Sequence, residues 1–240
     1  MPETDSEITA NRKYIALALR RARGQYIGSR TSQLSGIPQS TLYEWSRHDA
    51  YVPDFEDATP KAWSYRDLVF LRLLAWLRQR GMERGLASEQ VSNLRTQISK
   101  GFEVRYLFAD RRSLIFEGEQ TDHRSGYSIL PFNDIADLFR NFDLLEPIEE
   151  LSGHQTRLWA PDLQAPSSHT RISPFVMAGD PCITDTRIPT SSIHALSTER
   201  GLRVPEIIEL FPGLTRESIL DAHKLEMRLR RETPLESFAA

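Results

Sequence analysis

Residue types used in catalysis are present in the sequence but do not occur in the groupings that catalysis requires. None of the six histidines pairs at i, i+4 with a glutamate between, as in one class of zinc hydrolases. Cys182 is the only cysteine, and no neighbouring histidine or basic residue is present to activate its thiol. Glycine-rich nucleotide-binding motifs are absent. The carboxylates at predicted turns or strand edges are isolated: Asp110, Glu117, Asp180 and Asp185. We therefore expect no enzyme activity, no metal and no cofactor.

One short segment carries a pattern with a functional meaning. Residues 29–35 predict a short helix, Gly36 a tight turn, and Pro38 the opening of a second short helix. This is the order of a helix–turn–helix. We expect a small core of Leu34, Ile37, Leu42 and Trp45, and expect Ser40, Thr41, Tyr43 and Arg47 to point away from it.

The second helix of this segment suits DNA because small polar groups near its N-terminus can reach base edges in the major groove. Between residues 12 and 47, seven Lys or Arg residues stand against Glu44 alone, in a chain of net charge −3. Such a basic segment favours binding to a polyanion. The predicted DNA-binding residues are Arg30, Gln39, Ser40, Thr41, Tyr43 and Arg47. The alternative is a helix–turn–helix that serves packing only.

The remaining elements predict an α+β protein with three parts: an all-α helix–turn–helix domain (1–101), a small α/β connector with an antiparallel hairpin (102–165) and a three-helix domain (166–240). In the first, we expect helices at 14–23, at 65–80 behind a Ser64–Asp67 capping box, and at 88–99. The connector predicts strands at 103–108, 113–117, 127–130 and 157–159, and a helix capped by Asn133 or Asp134 that runs to Phe142. The last part predicts helices at 190–199, 204–211 and, capped by Thr215, to about Arg231.

Composition limits the class of protein. The 240 residues are 40% hydrophobic and 26% charged, which is enough apolar material for folded cores. No apolar run approaches the roughly 18 residues of a membrane span, and the acidic N-terminus does not have the pattern of a signal peptide. A single cysteine fits a reducing compartment. We expect a soluble, cytoplasmic protein with no membrane partner.

The N-terminal part also resembles a known family. Residues 32–45, followed by Trp63–Val69 at the start of a longer helix, are similar to the MerR-like helix–turn–helix domain over roughly residues 26–100. The resemblance implies DNA binding. The chain departs from the pattern at Tyr43 and Glu44, where such proteins often have an arginine followed by an aromatic residue.

The C-terminal part resembles domain of unknown function 433. The matching run is Gly179-Asp-Pro-Cys-Ile-Thr-Asp-Thr-Arg-Ile-Pro189, followed by residues 201–215 and 219–222; Asp185 replaces the family's glycine. Such domains are similar to small antitoxins, and the combination with a MerR-like half resembles long VapB-type antitoxins. The resemblance implies a PIN-like nuclease toxin as partner and repression of the protein's own operon.

The partner surfaces follow from this resemblance. The toxin-binding candidates are the motif's Arg187 and, on the last helix, Arg228, Arg230 and Arg231, because arginine can enter a carboxylate-lined metal cleft. Alternatively, Arg187 anchors its turn by bonding carbonyls, and the other three are ordinary surface at a helix C-terminus. A homodimer is expected, since paired recognition helices on a palindrome multiply a weak half-site affinity. The alternative function is a ligand-responsive MerR-type regulator without a toxin partner.

Overall fold

The computed structural model describes residues 5–102, 104, 106–109, 112, 114–117, 135–140, 142–145 and 157–231. The chain divides into two compact units, Met1–Ala160 (unit 1) and Pro161–Ala240 (unit 2). Across the described ranges, eight α-helices are combined with four antiparallel sheets of two strands each. This mixture is consistent with the predicted α+β class. The finer division into three domains stays a prediction.

A central buried helix organises unit 1. The helices are α1 (Asp5–Arg20), α2 (Gly28–Ser35), α3 (Gln39–Arg47), α4 (Tyr65–Gln79) and α5 (Arg84–Ser99). Helix α4 is buried on every side from Leu68 to Leu77, because α1, α2, α5 and the 3₁₀ helix Ile135–Phe139 all pack on it. The predicted inward positions Leu68, Leu71, Leu74 and Ala75 are confirmed as core. A helix buried all round is expected to be apolar all round, and from Leu68 to Leu77 every residue except Arg72 is apolar.

The strands of unit 1 form three short ladders. β1 (Tyr26–Ile27) pairs with β2 (Ala62–Trp63), β3 (Tyr106–Ala109) with β4 (Leu114–Glu117), and β5 (Phe142–Leu145) with β6 (Arg157–Ala160). The predicted hairpin and the strand at 157–159 are confirmed. The expected all-α character of the N-terminal part is wrong, because β1 directly before α2 pairs with β2, which follows α3 and the loop after it. Two-residue strands are too short to show an alternating pattern in the sequence.

Several predicted element boundaries are wrong. Helix α1 runs from Asp5 to Arg20 rather than from 14 to 23, since its first turns have too few apolar residues to show a helical period. Helix α5 begins at Arg84 rather than Ser88 because the Glu83 carboxylate caps it, accepting a hydrogen bond from the Leu86 N–H at 3.0 Å. Phe142 starts strand β5 instead of ending a helix, because β5 pairs with the distant β6. Asn133, Asp134 and the predicted strand 127–130 lie outside the described residues.

Unit 2 is built from one short ladder and three helices. β7 (Thr170–Arg171) pairs with β8 (Cys182–Ile183), and the helices are α6 (Thr190–Thr198), α7 (Val204–Leu210) and α8 (Arg216–Arg230). All three helices agree with the predicted bounds within one residue, and the Thr215 hydroxyl caps α8 as expected. The core contains Ile183, Ile193, Val204, Ile207, Ile219 and Ala222. In the part of the chain that the structure describes, no helix has both the length and the apolar character needed to cross a membrane.

Candidate nucleic-acid interface

A fixed turn joins α2 to α3. Gly36 lies in the left-handed region (φ 79°), which favours glycine, and its N–H donates to the Ser32 carbonyl at 3.0 Å. The Ile37 N–H donates to the Ser35 hydroxyl at 3.2 Å. Pro38 then precedes α3 with φ −54°, the angle to which its ring holds it. The relative placement of α2 and α3 is therefore fixed by backbone geometry, as the sequence predicted.

The inner side of α3 is wider than expected. Leu34, Ile37, Leu42 and Trp45 are buried as predicted, with at most 4% of each exposed. The expectation that Thr41 points away from the core is wrong, because Thr41 is completely buried. Ser46 is buried as well, so α3 buries one broad face that consists of Thr41, Leu42, Trp45 and Ser46. Thr41 is consequently not available for contact with DNA.

Tyr43 is half-buried and packs against neighbouring elements. Its ring meets the Trp63 ring edge-on, with centroids 5.4 Å apart and planes at 82°. Its phenol end also lies against Gly28, where an added Cβ would stand 2.7 Å from the ring. Tyr43 therefore holds α3 against the start of α2 and strand β2. A contact of this kind explains why α2 begins with a glycine.

The outer side of α3 carries the remaining predicted DNA contacts. Gln39, Ser40 and Arg47 are exposed. Neither Gln39 nor Ser40 hydrogen-bonds through its side chain to any residue in the described ranges. The Arg47 Nε donates to the Tyr43 carbonyl at 3.3 Å within the same helix. Ser40 and Arg47 lie seven residues apart and so share one helix face, with Glu44 between them.

Two charged residues beside this face are already paired. Arg30 Nη1 donates to Gln33 Oε1 at 3.0 Å on α2. The carboxylate of Glu44 lies 3.4 Å from Arg84 at the start of α5, in a solvent-exposed ion pair. Arg84 therefore offsets the one negative charge on the outer side of α3, although an exposed pair contributes little to stability. Six residues were predicted here, and the structure leaves Gln39, Ser40 and Arg47 as the exposed set on α3.

The loop of residues 48–61 (the 48–61 loop) follows α3 and is held by a buried charge network. The Asp54 carboxylate accepts hydrogen bonds from the Ser64 hydroxyl (2.5 Å), from Arg66 Nε (2.6 Å) and Nη2 (2.5 Å), and from Arg95. Asp67 accepts from the Tyr51 hydroxyl at 2.7 Å and from the Asp54 N–H at 2.9 Å. These bonds tie the loop to α4 and α5.

The network controls the ionisation of its members. Burial alone raises the pKa of Asp54, but the hydrogen bond from Arg66 and the charge of Arg95 outweigh it and lower the pKa to about 2. Burial and the neighbouring Asp67 carboxylate raise the pKa of the Tyr51 hydroxyl. Sequence reasoning found only the Ser64–Asp67 capping box, which is confirmed; Asp54, Arg66 and Arg95 are distant in sequence and gave no local signal.

The motif turn of unit 2 places Arg187 on the surface. Asp185, which stands where the family's glycine is expected, has φ 61°. The Thr186 hydroxyl donates to the Ile183 carbonyl at 2.9 Å and accepts from the Ile188 N–H at 3.1 Å. Thr186 thus supplies the side-chain bonds of this turn. Arg187 is exposed and pairs with none of the residues that the structure describes, so the interpretation that it anchors the turn is wrong.

The arginines of α8 are exposed near its C-terminal end. Arg228 and Arg230 lie in the last turn, and Arg231 ends the helix in the left-handed conformation (φ 61°). Arg230 Nε lies 3.4 Å from Glu226, a fully buried carboxylate that also accepts a hydrogen bond from the Thr190 hydroxyl at 2.5 Å. Arg230 therefore has an internal role in neutralising Glu226.

Unit 2 also contains a histidine pair that the sequence gave no reason to expect. His194 on α6 and His223 on α8 are buried and stacked, with ring centroids 5.2 Å apart. Burial and the neighbouring His194 lower the pKa of His223 to about 4. Cys182 is buried and its thiol donates to the Asp180 carbonyl at 3.3 Å. In the described ranges, no group of three or more His, Cys, Asp or Glu side chains is placed to hold a metal ion.

Comparison with known proteins shows that part of unit 2 is similar to a known family. The model of a family described as "Protein of unknown function (DUF433)" matches residues 171–224. This range begins at the last residue of β7 and covers strand β8, the motif turn, α6, α7 and the first half of α8. No curated protein and no solved structure matches the chain.

Proposed function

We propose that the chain is an autoregulating antitoxin: unit 1 binds operator DNA, and unit 2 binds and silences a PIN-like ribonuclease. The observation that carries the DNA-binding half is the outer side of α3. There, exposed Gln39 and Ser40 stand at the start of a helix whose direction is fixed by the Gly36 turn. A recognition helix reads bases through its N-terminal residues, and these two side chains have the required polar groups.

The two side chains have different roles in this proposal. The Gln39 amide has a donor and an acceptor side by side, which match the N7 and N6 positions of adenine in the major groove. Ser40 can donate to or accept from any base edge. Arg47, seven residues after Ser40 on the same helix face, contacts a backbone phosphate. Thr41 has no part in this interface because it is buried.

The toxin-binding half rests on the resemblance of unit 2 to antitoxin domains and on the position of Arg187. PIN-like nucleases gather carboxylates around a divalent metal ion, and a guanidinium can bind such carboxylates bidentately. Arg187 is exposed on the turn held by Thr186, so its guanidinium is available for this role. Arg228, Arg230 and Arg231 are secondary candidates, since Arg230 already faces Glu226.

DNA binding is tested with the full chain and DNA from upstream of its own gene. Fluorescence anisotropy should show salt-dependent binding. Gln39→Ala should lose about 1–3 kcal/mol of specific binding because it removes a bidentate contact, and Ser40→Ala should lose less. Asn93→Ala, which removes an exposed amide from α5, is the matched control and should bind as the parent does. Equal affinity of parent and both α3 variants for operator and unrelated DNA would contradict base reading by α3.

Toxin binding is tested by co-purifying the tagged chain with the product of the adjacent gene and assaying that product's ribonuclease activity. We expect a stable complex with suppressed cleavage, and Arg187→Ala should restore cleavage. Arg203→Ala removes another exposed arginine of unit 2 and should leave inhibition intact. If no complex forms, the antitoxin half is wrong and a stand-alone DNA-binding regulator remains.

A further inference from the structure

Arg72 is a fully buried arginine at the centre of α4. Its Nη2 donates to the Leu34 carbonyl at 2.6 Å. Its Nη1 lies 3.2 Å from the Leu138 carbonyl and 3.1 Å from the Arg140 carbonyl, with the Phe139 carbonyl at 3.5 Å. One side chain therefore contacts two segments that are far apart in sequence.

The two sets of carbonyls have the same electrostatic character. Leu34 is in the last turn of α2, and residues 138–140 form the end of the 3₁₀ helix Ile135–Phe139. Carbonyls at a helix C-terminus have no partner within the helix and carry partial negative charge. A buried cation is costly unless such groups surround it. The planar guanidinium offers donors on two arms, so arginine can satisfy both helix ends at once.

The position of Leu34 connects this contact to the recognition helix. Leu34 lies two residues before Gly36, whose turn fixes the start of α3. A continuous chain of contacts therefore leads from residues 135–140 through Arg72 to the last turn of α2, and from there to Gln39 and Ser40. Movement of the 135–140 segment must either move the end of α2 or break a hydrogen bond of the buried guanidinium.

We infer that Arg72 is a positioning residue that couples the 135–140 segment to α3, so that the conformation of this segment sets the affinity of unit 1 for DNA. The inference rests on the proposed DNA binding for its readout. The coupling itself is a property of unit 1 and can be measured without DNA.

Amide hydrogen exchange of the full chain, read by mass spectrometry, tests the coupling. Arg72→Lys keeps the charge but replaces the two-armed fork with a single ammonium group, which cannot hold both carbonyl sets. We expect exchange at Gly36 and Leu42, whose N–H groups are hydrogen-bonded, to become at least tenfold faster, together with exchange at residues 138–140. Arg78→Lys is the matched control, because Arg78 lies on the same helix and, among the residues that the structure describes, donates only to the nearby Met82 carbonyl, at 2.6 Å.

A second variant acts from the other end of the contact. Leu138→Val removes one methylene from a buried side chain of the 135–140 segment and leaves Arg72 in place. Coupling predicts faster exchange at Gly36 and Leu42 in this variant too, and at least threefold weaker DNA binding in both it and Arg72→Lys. This variant keeps the inference testable if Arg72→Lys does not fold.

The outcomes separate the inference from the proposed function. If Leu138→Val speeds exchange only within 135–140, Arg72 merely caps two independent helix ends and the inference is overturned. If exchange is coupled in both variants but their DNA affinity is unchanged, the claim that the 135–140 segment sets the DNA affinity is overturned. If both variants show coupled exchange but the parent chain binds no operator DNA, the proposed function fails while the coupling stands.

Discussion

The polar residues of the 48–61 loop and those on the outer side of α3 are neighbours in sequence but differ in the number of their hydrogen-bond partners within the protein. In the loop, Asp54 is engaged by Ser64, Arg66 and Arg95, and the bonds hold the loop to α4 and α5. On α3, Gln39 and Ser40 are exposed and have no side-chain partner in the described ranges. Charge and polarity alone do not distinguish structural from functional residues; their internal partners do.

This difference predicts opposite effects of substitution. A residue with many internal partners should affect folding when changed and leave binding unaltered per folded molecule. A residue with none should leave folding unaltered and weaken binding.

Asp54→Asn should lower the free energy of unfolding by about 3 kcal/mol, because the largely buried Arg66 loses its carboxylate partner and Arg95 keeps only Asp67, at 3.5 Å. Urea denaturation followed by tryptophan fluorescence measures this loss. Asp57→Asn changes an exposed carboxylate of the same loop and should stay within about 0.5 kcal/mol of the parent. Equal stability of the two variants would contradict a structural role for the network.

Arg47→Ala should leave the free energy of unfolding within about 0.5 kcal/mol of the parent but weaken DNA binding on all sequences alike. Loss of one phosphate contact should reduce the slope of log affinity against log salt by about 0.9. Anisotropy titrations at several salt concentrations give this slope. Lys100→Ala removes an exposed charge at the end of α5; the prediction is wrong if this control lowers the slope as much as Arg47→Ala does.

The two units should also differ in their response to acid. The pKa of Asp54 is about 2 in the folded state, below its ordinary value of 3.8, so its contribution to unit 1 is present above about pH 4 and is lost as the pH falls toward 2. The pKa of His223 is about 4 in the folded state, below its ordinary value of 6.5. Unit 2 should therefore lose stability as the pH falls from about 6.5 to about 4, because the unfolded chain binds the proton before the folded chain does.

Hydrogen exchange at α8 amides, measured from pH 7 to pH 4 after correction for intrinsic rates, follows this loss in unit 2. His223→Phe keeps an aromatic ring against His194 but takes up no proton, and should reduce the loss. A pH dependence identical in parent and variant would assign the effect to another group. Tryptophan fluorescence should show unit 1 unchanged over the same range, since all four tryptophans, Trp45, Trp63, Trp76 and Trp159, lie in unit 1.

The parts of this architecture that could be predicted from the sequence are those with local causes. The Gly36 turn, the Ser64–Asp67 capping box and the Thr215 cap depend on residues within four positions of one another, and all three are confirmed. The mixed helix-and-sheet class followed from the same local patterns.

The features that sequence reasoning missed depend on distant partners. Thr41 is the exception: the prediction followed its polar hydroxyl, although its spacing of four residues from Trp45 places both side chains on the buried face of α3. The Asp54–Arg95 pair spans 41 positions, and the Arg72–Leu34 bond spans 38. Of the six predicted DNA contacts, the structure therefore buries Thr41 and packs Tyr43 against Trp63; the helical spacing gave a signal for the first, and nothing local gave one for the second.

The motif turn of unit 2 should give a small change in stability, because its surroundings hold one residue in a backbone conformation that its side chain disfavours. Asp185 lies at φ 61°, where a side chain is disfavoured, while Gly36 meets the same demand in unit 1 without strain. Asp185→Gly should therefore raise the free energy of unfolding by about 0.5 kcal/mol, since relief of the strained angle is partly offset by the greater freedom of glycine in the unfolded chain. Thermal unfolding followed by circular dichroism measures the shift. Asp185→Ala removes the carboxylate but keeps the Cβ and should give no gain. A gain in both variants would mean that the carboxylate, and not the backbone angle, is the unfavourable element. The turns at Gly36 and Asp185 would then share a backbone geometry but not its energetic cost.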